Sequence, residues 1–347
     1  GGAGGGGGFN QGYGFNGLVR TLVMAQDGTR DLYVGGDFTN YNGTTANRLI
    51  RLHQDGTVAQ TFGQGFDQSV GMLALATDGG NALYVGGPFT QFDGQAVTQV
   101  IRLTSNGLRD VTFQLRGVDL TPVSFLTALA VTEDGSRDVY LAINVVEGVP
   151  GTPVDATAGR IVRLNPDGSL NPAFRDVRFP GVPDLKFNMV STIAVPAGSG
   201  KLYVGGSMAV TGAPSSLLRL NADGTIDSTF TTGTGVQGIK GTSAVETITV
   251  VADGSGDIYA GGRMAEYNRM SVTFGSIRVH ETGALDTTFA PTEPMITFAI
   301  SPARDGTTDV LMWGLGTRTQ DRPSRLLRLN HNGSLSSTFH EPTAEAV

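Results

Sequence analysis

The 347-residue sequence contains no cysteine, which excludes disulfide bonds, thiol catalysis and zinc sites built on cysteine. No apolar run approaches the roughly 18 residues that a membrane-spanning helix needs, so we expect no membrane insertion. Lysine is scarce, with Lys186, Lys201 and Lys240 alone, and the formal net charge is −7. Such an acidic chain does not predict a nucleic-acid partner.

Glycine, by contrast, is abundant: the chain has 51 glycines without a three-residue period, which favours a turn-rich β protein over a collagen-like one. The sequence opens on GGAGGGGGFN, without methionine. We expect residues 1–14 to form a glycine-rich leader or linker within a longer exported protein.

One five-residue motif recurs along the chain. LYVGG stands at 32–36, 83–87 and 202–206, and IYAGG at 258–262. Aligned on the tyrosine, the units lie 51, 56, 63, 56 and 52 residues apart, at Tyr33, Tyr84, Tyr140, Tyr203, Tyr259 and Leu311. A period near 50 residues is typical of the blades of a β-propeller.

Each unit holds four short apolar runs bounded by Gly and Asp turns, which we name strands A to D in chain order; LYVGG is strand B. The pattern predicts an all-β fold, a six-bladed β-propeller of four-stranded antiparallel blades, or else part of a seven-bladed or longer array. We expect a single domain over 15–340 and a C-terminal tail over 341–347. The predicted blades are about 15–65, 66–116, 120–177, 186–233, 244–291 and 294–340.

The unit LYVGGDFTNYNGTTANRLIRLHQDGTVAQTF (32–62) resembles the delta-60 repeats, a β-propeller family of large bacterial proteins that are often exported or surface-attached. Kelch repeats share the glycine pair but carry a tryptophan on the last strand, where this chain has phenylalanine. The resemblance implies the propeller fold and an extracellular or cell-surface location, and it implies little about chemistry.

The connections predict two unlike faces. The A–B and C–D turns are uniformly short, whereas the B–C and D–A connections vary and include 145–159, 175–188 and 231–244. Because loops on rigid scaffolds carry function, we expect a ligand site on the face with the variable connections.

Candidate ligand contacts on that face fall into two groups. Tyr41, Phe92 and Tyr267 hold one repeat position before the B–C turn, and they either pack under the loop or offer stacking surfaces for sugar rings. Two repeats depart from the motif and supply the other candidates, namely Glu147, Asp155, Trp313, Arg318 and Asp321.

Several other signals predict no site of their own. The D-G-x-x-D turns, such as Asp27–Asp31, lack the ligands of an EF-hand, so calcium is possible but not favoured, and we expect no cofactor. A recurring arginine on strand C, such as Arg51, is expected to pair with a neighbouring carboxylate or carbonyl group between blades. Neither a G-x-S-x-G motif nor a P-loop is present, and a glycosidase carboxylate pair stays open.

We therefore expect a non-catalytic binding or adhesion module on a bacterial surface or fibre. Its partner would be a cell-surface glycan or protein, or other chains of a fibre or of a larger parent protein. One alternative is a structural spacer without a soluble ligand. The second alternative is an enzyme that acts on polysaccharide and needs two carboxylates, one with a raised pKa.

Overall fold

The computed structural model describes residues 14–120, 124–148, 155–179, 187–208, 216–238, 244–251, 253–272, 275–293, 295–303, 306–316 and 324–339. These residues form β-strands and no helix, so the prediction of an all-β protein is confirmed. No helix long and apolar enough to cross a membrane is found among them.

The chain divides into two compact units. Unit 1 comprises the described residues up to Ile143 together with Val162–Pro172, and unit 2 comprises Asn144–Ile161 with the described residues from Ala173 onward. The single domain over 15–340 stays a prediction. The leader and the tail, apart from Gly14, lie outside the described residues.

Unit 1 contains the first two repeats. Repeat 1 forms β1 (Val19–Met24), β2 (Leu32–Gly36), β3 (Asn40–Tyr41), β4 (Thr44–Thr45), β5 (Leu49–Leu52) and β6 (Val58–Thr61). Repeat 2 forms β7 (Met72–Leu75), β8 (Leu83–Gly86), β9 (Gln91–Phe92), β10 (Gln95–Ala96) and β11 (Val100–Leu103). The sheets run in the orders β1-β2-β5-β6 and β7-β8-β11, while β3-β4 and β9-β10 are small hairpins in the B–C connections.

Repeat 3 has longer strands than the sequence predicts. It forms β12 (Ser124–Val131), β13 (Val139–Gly148), β14 (Asp155–Leu164) and β15 (Val177–Phe179). The boundary between the units falls within β13 and β14. The prediction of a loop over 145–159 is wrong at both ends, because the two strands extend into it and leave only 149–154, outside the described residues, between them.

Unit 2 contains the last three repeats. Repeat 4 forms β16 (Phe187–Ala194), β17 (Leu202–Ser207), β18 (Leu217–Leu220) and β19 (Val236–Gln237). Repeat 5 forms β20 (Ala244–Val250), β21 (Ile258–Arg263), β22 (Glu266–Tyr267), β23 (Met270–Ser271) and β24 (Ser276–Val279), and repeat 6 forms β25 (Met295–Pro302), β26 (Val310–Gly316) and β27 (Ser324–Leu329). Each repeat pairs its strands A, B and C in chain order.

The predicted strand D is a true strand only in repeat 1, among the described residues. In each later repeat the corresponding segment makes only one isolated β-bridge with the end of strand C. These bridges are Leu103–Arg109, Leu164–Leu170, Leu220–Ile226, Val279–Leu285 and Leu329–Leu335. In repeat 2 the Asp110 carboxylate accepts hydrogen bonds from the N–H and the hydroxyl of Thr112, which fixes a turn in place of a strand. Repeat 1 has Ala59 at the same place and cannot make that turn. Four-stranded blades are therefore not confirmed, and the number of six blades stays a prediction.

The two glycines of LYVGG permit two different close approaches. In repeat 4, a Cβ on Gly205 would lie 2.7 Å from Cγ1 of Val245, on strand A of repeat 5. A Cβ on Gly206 would collide with the carbonyl oxygen of Met189, on strand A of the same repeat. The first glycine leaves room for the next repeat, and the second leaves room for strand A of the same repeat.

Neighbouring repeats of one unit share a core. The tyrosine of strand B and the closing phenylalanine of one repeat pack in a cluster with strand residues of the next. The tyrosine and phenylalanine pairs are Tyr33 with Phe62 in repeat 1, Tyr203 with Phe230 in repeat 4, and Tyr259 with Phe289 in repeat 5. Each repeat thus depends on its neighbour for a complete core, as repeat proteins do.

Candidate functional site

The three aromatic residues predicted as candidate contacts are buried. Tyr41 and Tyr267 donate hydrogen bonds from their hydroxyls to the carbonyl oxygens of Gly56 and Gly283, at 2.8 and 2.6 Å. Phe92 packs on Phe66, with ring centroids 4.7 Å apart. Burial raises the pKa of Tyr267. The packing interpretation fits these positions, since none of the rings offers an open face for stacking on a ligand.

The remaining predicted contacts do not converge into a described site. Trp313 lies on β26, is 44% exposed and contacts Phe298, with ring centroids 5.7 Å apart. Glu147 and Asp155 lie in β13 and β14 rather than in a loop. Arg318 and Asp321 lie outside the described residues. The predicted site on the variable face therefore stays a prediction.

A network around the strand C arginine recurs at the opposite ends of the strands, beside the A–B turns. Arg51 donates from Nε to Asp31 at 2.9 Å and from Nη1 to the Tyr33 hydroxyl at 3.1 Å. Each arginine pairs with a carboxylate, but that carboxylate belongs to its own repeat and not to the next blade. The pairs are Arg51 with Asp27 and Asp31, Arg102 with Asp110, Arg163 with Asp134 and Asp138, Arg219 with Asp227, Arg278 with Asp253, Asp257 and Asp286, and Arg328 with Asp309. The predicted contact between blades is made to a carbonyl oxygen, of Pro166 from Arg102 and of Glu281 from Arg219.

This network also explains the D-G-x-x-D turns. In repeats 1, 3 and 5 both carboxylates of such a turn face the arginine of the same repeat, as Asp27 and Asp31 face Arg51. The hydrogen bonds from Thr29, helped by Arg51, lower the pKa of Asp27 to about 2. In these turns the guanidinium group therefore shares the charge of the aspartates.

The partner of the arginine comes from one of two positions. The pre-B position, directly before strand B, holds Asp31, Ala82, Asp138, Lys201, Asp257 and Asp309 in repeats 1 to 6. The pre-Phe position, three residues before the closing phenylalanine, holds Ala59, Asp110, Asn171, Asp227, Asp286 and Ser336. Repeat 4 places a lysine at the first position, and repeat 5 alone places an aspartate at both.

In repeat 4, Lys201 and Arg219 share a single carboxylate. The Lys201 Nζ and the Arg219 Nε lie 2.6 and 2.7 Å from Oδ2 of Asp227. Burial alone would raise the pKa of Asp227, but the hydrogen bonds from Lys201 and from Thr229 outweigh it and hold this pKa well below its usual range. Lys201 is a residue that sequence reasoning missed, although its departure from Asp at the pre-B position signals it.

A cavity of about 410 Å³ lies beside this group, between repeats 4 and 5 of unit 2; we name it the 4–5 cavity. Its floor includes Tyr203, whose hydroxyl donates to the carbonyl oxygen of Gly256 at 3.1 Å. Arg219 Nη1 donates to the carbonyl oxygen of Glu281 at 2.8 Å. The apolar part of the lining is Pro196, Ala197, Val250 and Val251, and the polar side chains are Ser199, Lys201, Ser255 and Glu281.

Repeat 5 gathers the largest described group of carboxylates around one arginine. Arg278 lies 3.0 and 3.1 Å from the carboxylates of Asp253 and Asp257 and 3.4 Å from that of Asp286. His280 Nδ1 lies 3.0 Å from Asp257. Donor atoms of Asp257, His280 and Asp286 lie within 4.8 Å of one another, a spacing that a metal ion could use. Because Arg278 already neutralises two of these carboxylates, we assign no metal here.

A second cavity, of about 340 Å³, lies between repeats 5 and 6 of unit 2; we name it the 5–6 cavity. Its polar side chains are Asp253, Tyr259, Thr307, Thr308 and Asp309, and its apolar ones are Val251, Pro302 and Ala303. Burial would raise the pKa of Asp253, but hydrogen bonds from Ser255 and the charge of Arg278 outweigh it, so this pKa is lowered. The carboxylate is therefore charged at neutral pH.

These features define an all-β repeat protein with concave sites at the junctions between its repeats. Four segments, 26–62, 81–113, 151–174 and 198–230, match a family described as "Domain of unknown function (DUF5122) beta-propeller". The matches support a β-propeller repeat family for this chain, whereas the delta-60 name and the exported location stay predictions. No curated protein matches the sequence.

Several solved structures are similar to this chain. A GH74 xyloglucanase from Xanthomonas campestris has a TM-score of 0.51 and 16% identity, over 96% of this chain and 46% of the xyloglucanase. A puromycin hydrolase has a TM-score of 0.48 and 15% identity, over 91% of this chain and 45% of the hydrolase. A luciferin-regenerating enzyme has a TM-score of 0.45 and 13% identity, over 89% and 88%. The chain thus spans less than half the length of the first two, and at these identities the likeness shows the fold alone.

The xyloglucanase overturns the prediction that the chain is not an enzyme. That prediction was drawn from the propeller fold and from the lack of two short catalytic motifs, and it is wrong because an enzyme carries a similar fold. A fold positions a site without dictating its chemistry. The similarity of folds therefore assigns neither xyloglucan hydrolysis nor any other activity to this chain.

Proposed function

We propose that the protein is a carbohydrate-recognition module that binds a glycan in the 4–5 cavity of unit 2. The observation that carries the proposal is Lys201, which replaces the aspartate of four other repeats and brings an ammonium group to a partly apolar cavity. Ligand sites commonly combine apolar walls with a few well-placed polar groups.

The chemistry of the cavity suits a sugar. An ammonium group has three N–H donors, and Lys201 uses one of them on Asp227 while its side chain is 30% exposed. The Glu281 side chain is 60% exposed, and its carboxylate supplies acceptor oxygens of the opposite charge to the Lys201 ammonium group. Donors and acceptors of this kind fit hydroxyl groups, and the Pro196 and Val250 side chains fit the C–H face of a ring.

The wider role extends this proposal. Display at a bacterial surface and a role in adhesion rest on the resemblance to exported delta-60 repeats and on the glycine-rich leader. Contacts through the variable B–C and D–A connections would add to binding in the cavity, because those connections differ most between repeats.

The test is a glycan array followed by calorimetric titration of the tightest glycan against the wild type and Lys201→Ala. Repeat 2 has Ala82 at the same position and keeps its Arg102–Asp110 pair, so the substitution should leave the fold intact. We expect the variant to bind the glycan roughly tenfold more weakly, because it loses one charge-assisted hydrogen bond. Asp78→Asn, in the equivalent junction cavity of unit 1, is the control and should bind as the wild type does.

Three results would contradict the proposal in different ways. If Lys201→Ala binds the glycan as tightly as the wild type does, the binding site does not lie in the 4–5 cavity. No binding to any glycan by a folded sample would favour the structural spacer. Release of shortened glycan during incubation would identify an enzyme that acts on polysaccharide.

A further inference from the structure

Four asparagines of this chain stand directly before a glycine, namely Asn16, Asn42, Asn106 and Asn332. Glycine has no Cβ, so its backbone nitrogen can approach the side chain of the residue before it more closely than other residues allow. In an asparagine–glycine pair that nitrogen can therefore react with the asparagine carboxamide. The four pairs differ in how firmly the structure holds each carboxamide.

Three of the four carboxamides accept hydrogen bonds that fix them. The acceptor is Oδ1 in each case, and the donors are N–H and hydroxyl groups. Asn16 accepts from the N–H groups of Thr39 and Asn40 at 2.8 and 2.9 Å, Asn42 from the N–H of Gly14 at 2.7 Å, and Asn332 from the N–H and the hydroxyl of Ser334 at 3.0 and 2.7 Å. Each of these carboxamides must leave its hydrogen bonds before it can react.

The Asn106 carboxamide is exposed and has no hydrogen-bond partner among the described residues. The cause lies two residues further along the chain. In the C–D turns of repeats 1, 3, 4 and 6 a threonine or serine at that place donates from its hydroxyl to the Asp or Asn before the glycine. Repeat 2 has Leu108 there, which has no hydroxyl to donate.

The backbone of the Asn106 turn also lacks an anchor that the later C–D turns have. In those turns the residue after the closing phenylalanine of the preceding repeat donates its N–H to the carbonyl oxygen of the residue before the glycine. These pairs are Gln114 with Asp167, Arg175 with Asp223, Thr231 with Thr282, and Ala290 with Asn332. Gly63 and Asn106 hold the same two positions, and no such hydrogen bond joins them, although the structure describes both residues. The Asn106 turn is therefore the least restrained of the C–D turns in repeats 2 to 6.

We propose that Asn106 is a modification site, at which the carboxamide loses ammonia and becomes a carboxylate. The Gly107 nitrogen loses its proton to hydroxide and forms a bond to Cγ of Asn106. The bond from Cγ to Nδ2 breaks, and the leaving nitrogen takes a proton from water and departs as ammonia. One water molecule then opens the cyclic imide at either carbonyl carbon, which leaves aspartate or isoaspartate. Water and hydroxide are the only co-reactants.

The modification changes the charge of a cavity in unit 1. Asn106 lines a cavity of about 450 Å³ between repeats 1 and 2, together with Arg51 and His53. Arg51 already contacts the carboxylates of Asp27 and Asp31. A further carboxylate makes this cavity more negative, so we expect the protein to age into two forms that differ by one charge.

The test is peptide mapping by mass spectrometry after incubation of the folded protein at mildly alkaline pH. We expect the Asn106 peptide to be modified roughly tenfold faster than the Asn332 peptide, because the Asn332 carboxamide must first leave its two hydrogen bonds. The control is the same incubation of the protein unfolded in urea, in which the two peptides should react at similar rates. Equal rates in the folded protein, a faster rate at Asn332, or no modification of Asn106 would overturn the proposal.

Two substitutions test the role of the residue that follows each asparagine–glycine pair. Leu108→Ser gives repeat 2 the Asn-Gly-Ser sequence of repeat 6 and should slow the modification of Asn106. Leu108 is 66% exposed, so this change should leave the core intact. Ser334→Ala removes the hydroxyl that donates to Asn332 and should speed the modification of that residue. Unchanged rates in both variants would refute the assignment.

Discussion

Deleting the Tyr259 hydroxyl should stabilise the protein, whereas deleting the Tyr203 hydroxyl should destabilise it. The Tyr203 hydroxyl donates to the Gly256 carbonyl oxygen and accepts from Arg219, each at 3.1 Å. At about 1 kcal/mol for each hydrogen bond, Tyr203→Phe should cost about 2 kcal/mol of the free energy of unfolding. The Tyr259 hydroxyl is buried and has no hydrogen-bond partner among the described residues, so Tyr259→Phe should gain about 1 kcal/mol.

The assay is urea unfolding of the two variants and the wild type without ligand, followed by fluorescence. Trp313 is the only tryptophan and lies in repeat 6 of unit 2, so its emission reports on the unit that contains both substitutions. Linear extrapolation gives the free energies of unfolding, and the two variants should differ by about 3 kcal/mol. Equal destabilisation by both substitutions would refute the reasoning, since it would mean that the Tyr259 hydroxyl is paired.

Two further predictions concern packing and charge. Gly205→Ala should cost roughly 1–3 kcal/mol of the free energy of unfolding, because its Cβ would lie 2.7 Å from Val245, whereas Gly71→Ala has nothing nearer than 3.9 Å and should be nearly neutral. Urea unfolding of both variants checks this, and similar losses would contradict it. Asp27, with its pKa lowered from 3.8 to about 2, contributes stability above its ordinary pKa and loses it as the pH falls from 3.8 towards 2. The stability difference between the wild type and Asp27→Asn should therefore shrink over that range, and a constant difference would refute the assignment.

The sequence predicted the features that depend on local pattern. The spacing of the LYVGG motifs indicated the repeats, and the strand C arginines were expected to meet carboxylates. In repeat 2 the loss of strand D follows from Asp110 and Thr112, a turn signal readable in the sequence. The same signal has no counterpart in repeat 1, where Ala59 permits β6.

The candidate cavities could not be predicted in the same way, because they depend on which partner each arginine selects. Lys201 stands out only when the pre-B positions of all repeats are compared. The contact of Arg278 with His331, 53 residues further along the chain, depends on how repeat 6 packs beside repeat 5. Burial of Tyr41 and Tyr267 depends likewise on backbone acceptors in the following turn, which makes these rings part of the core.

Hydrogen exchange with and without the tightest-binding glycan locates binding along the chain and so tests whether the 4–5 cavity holds the glycan. We expect slower exchange in peptides that cover 196–203 and 253–257, the two turns that border the 4–5 cavity. We expect no comparable change in the A–B turn of repeat 2, around Asp78. Protection confined to the variable B–C and D–A connections, with the two turns unchanged, would contradict a binding site at the junction of repeats 4 and 5.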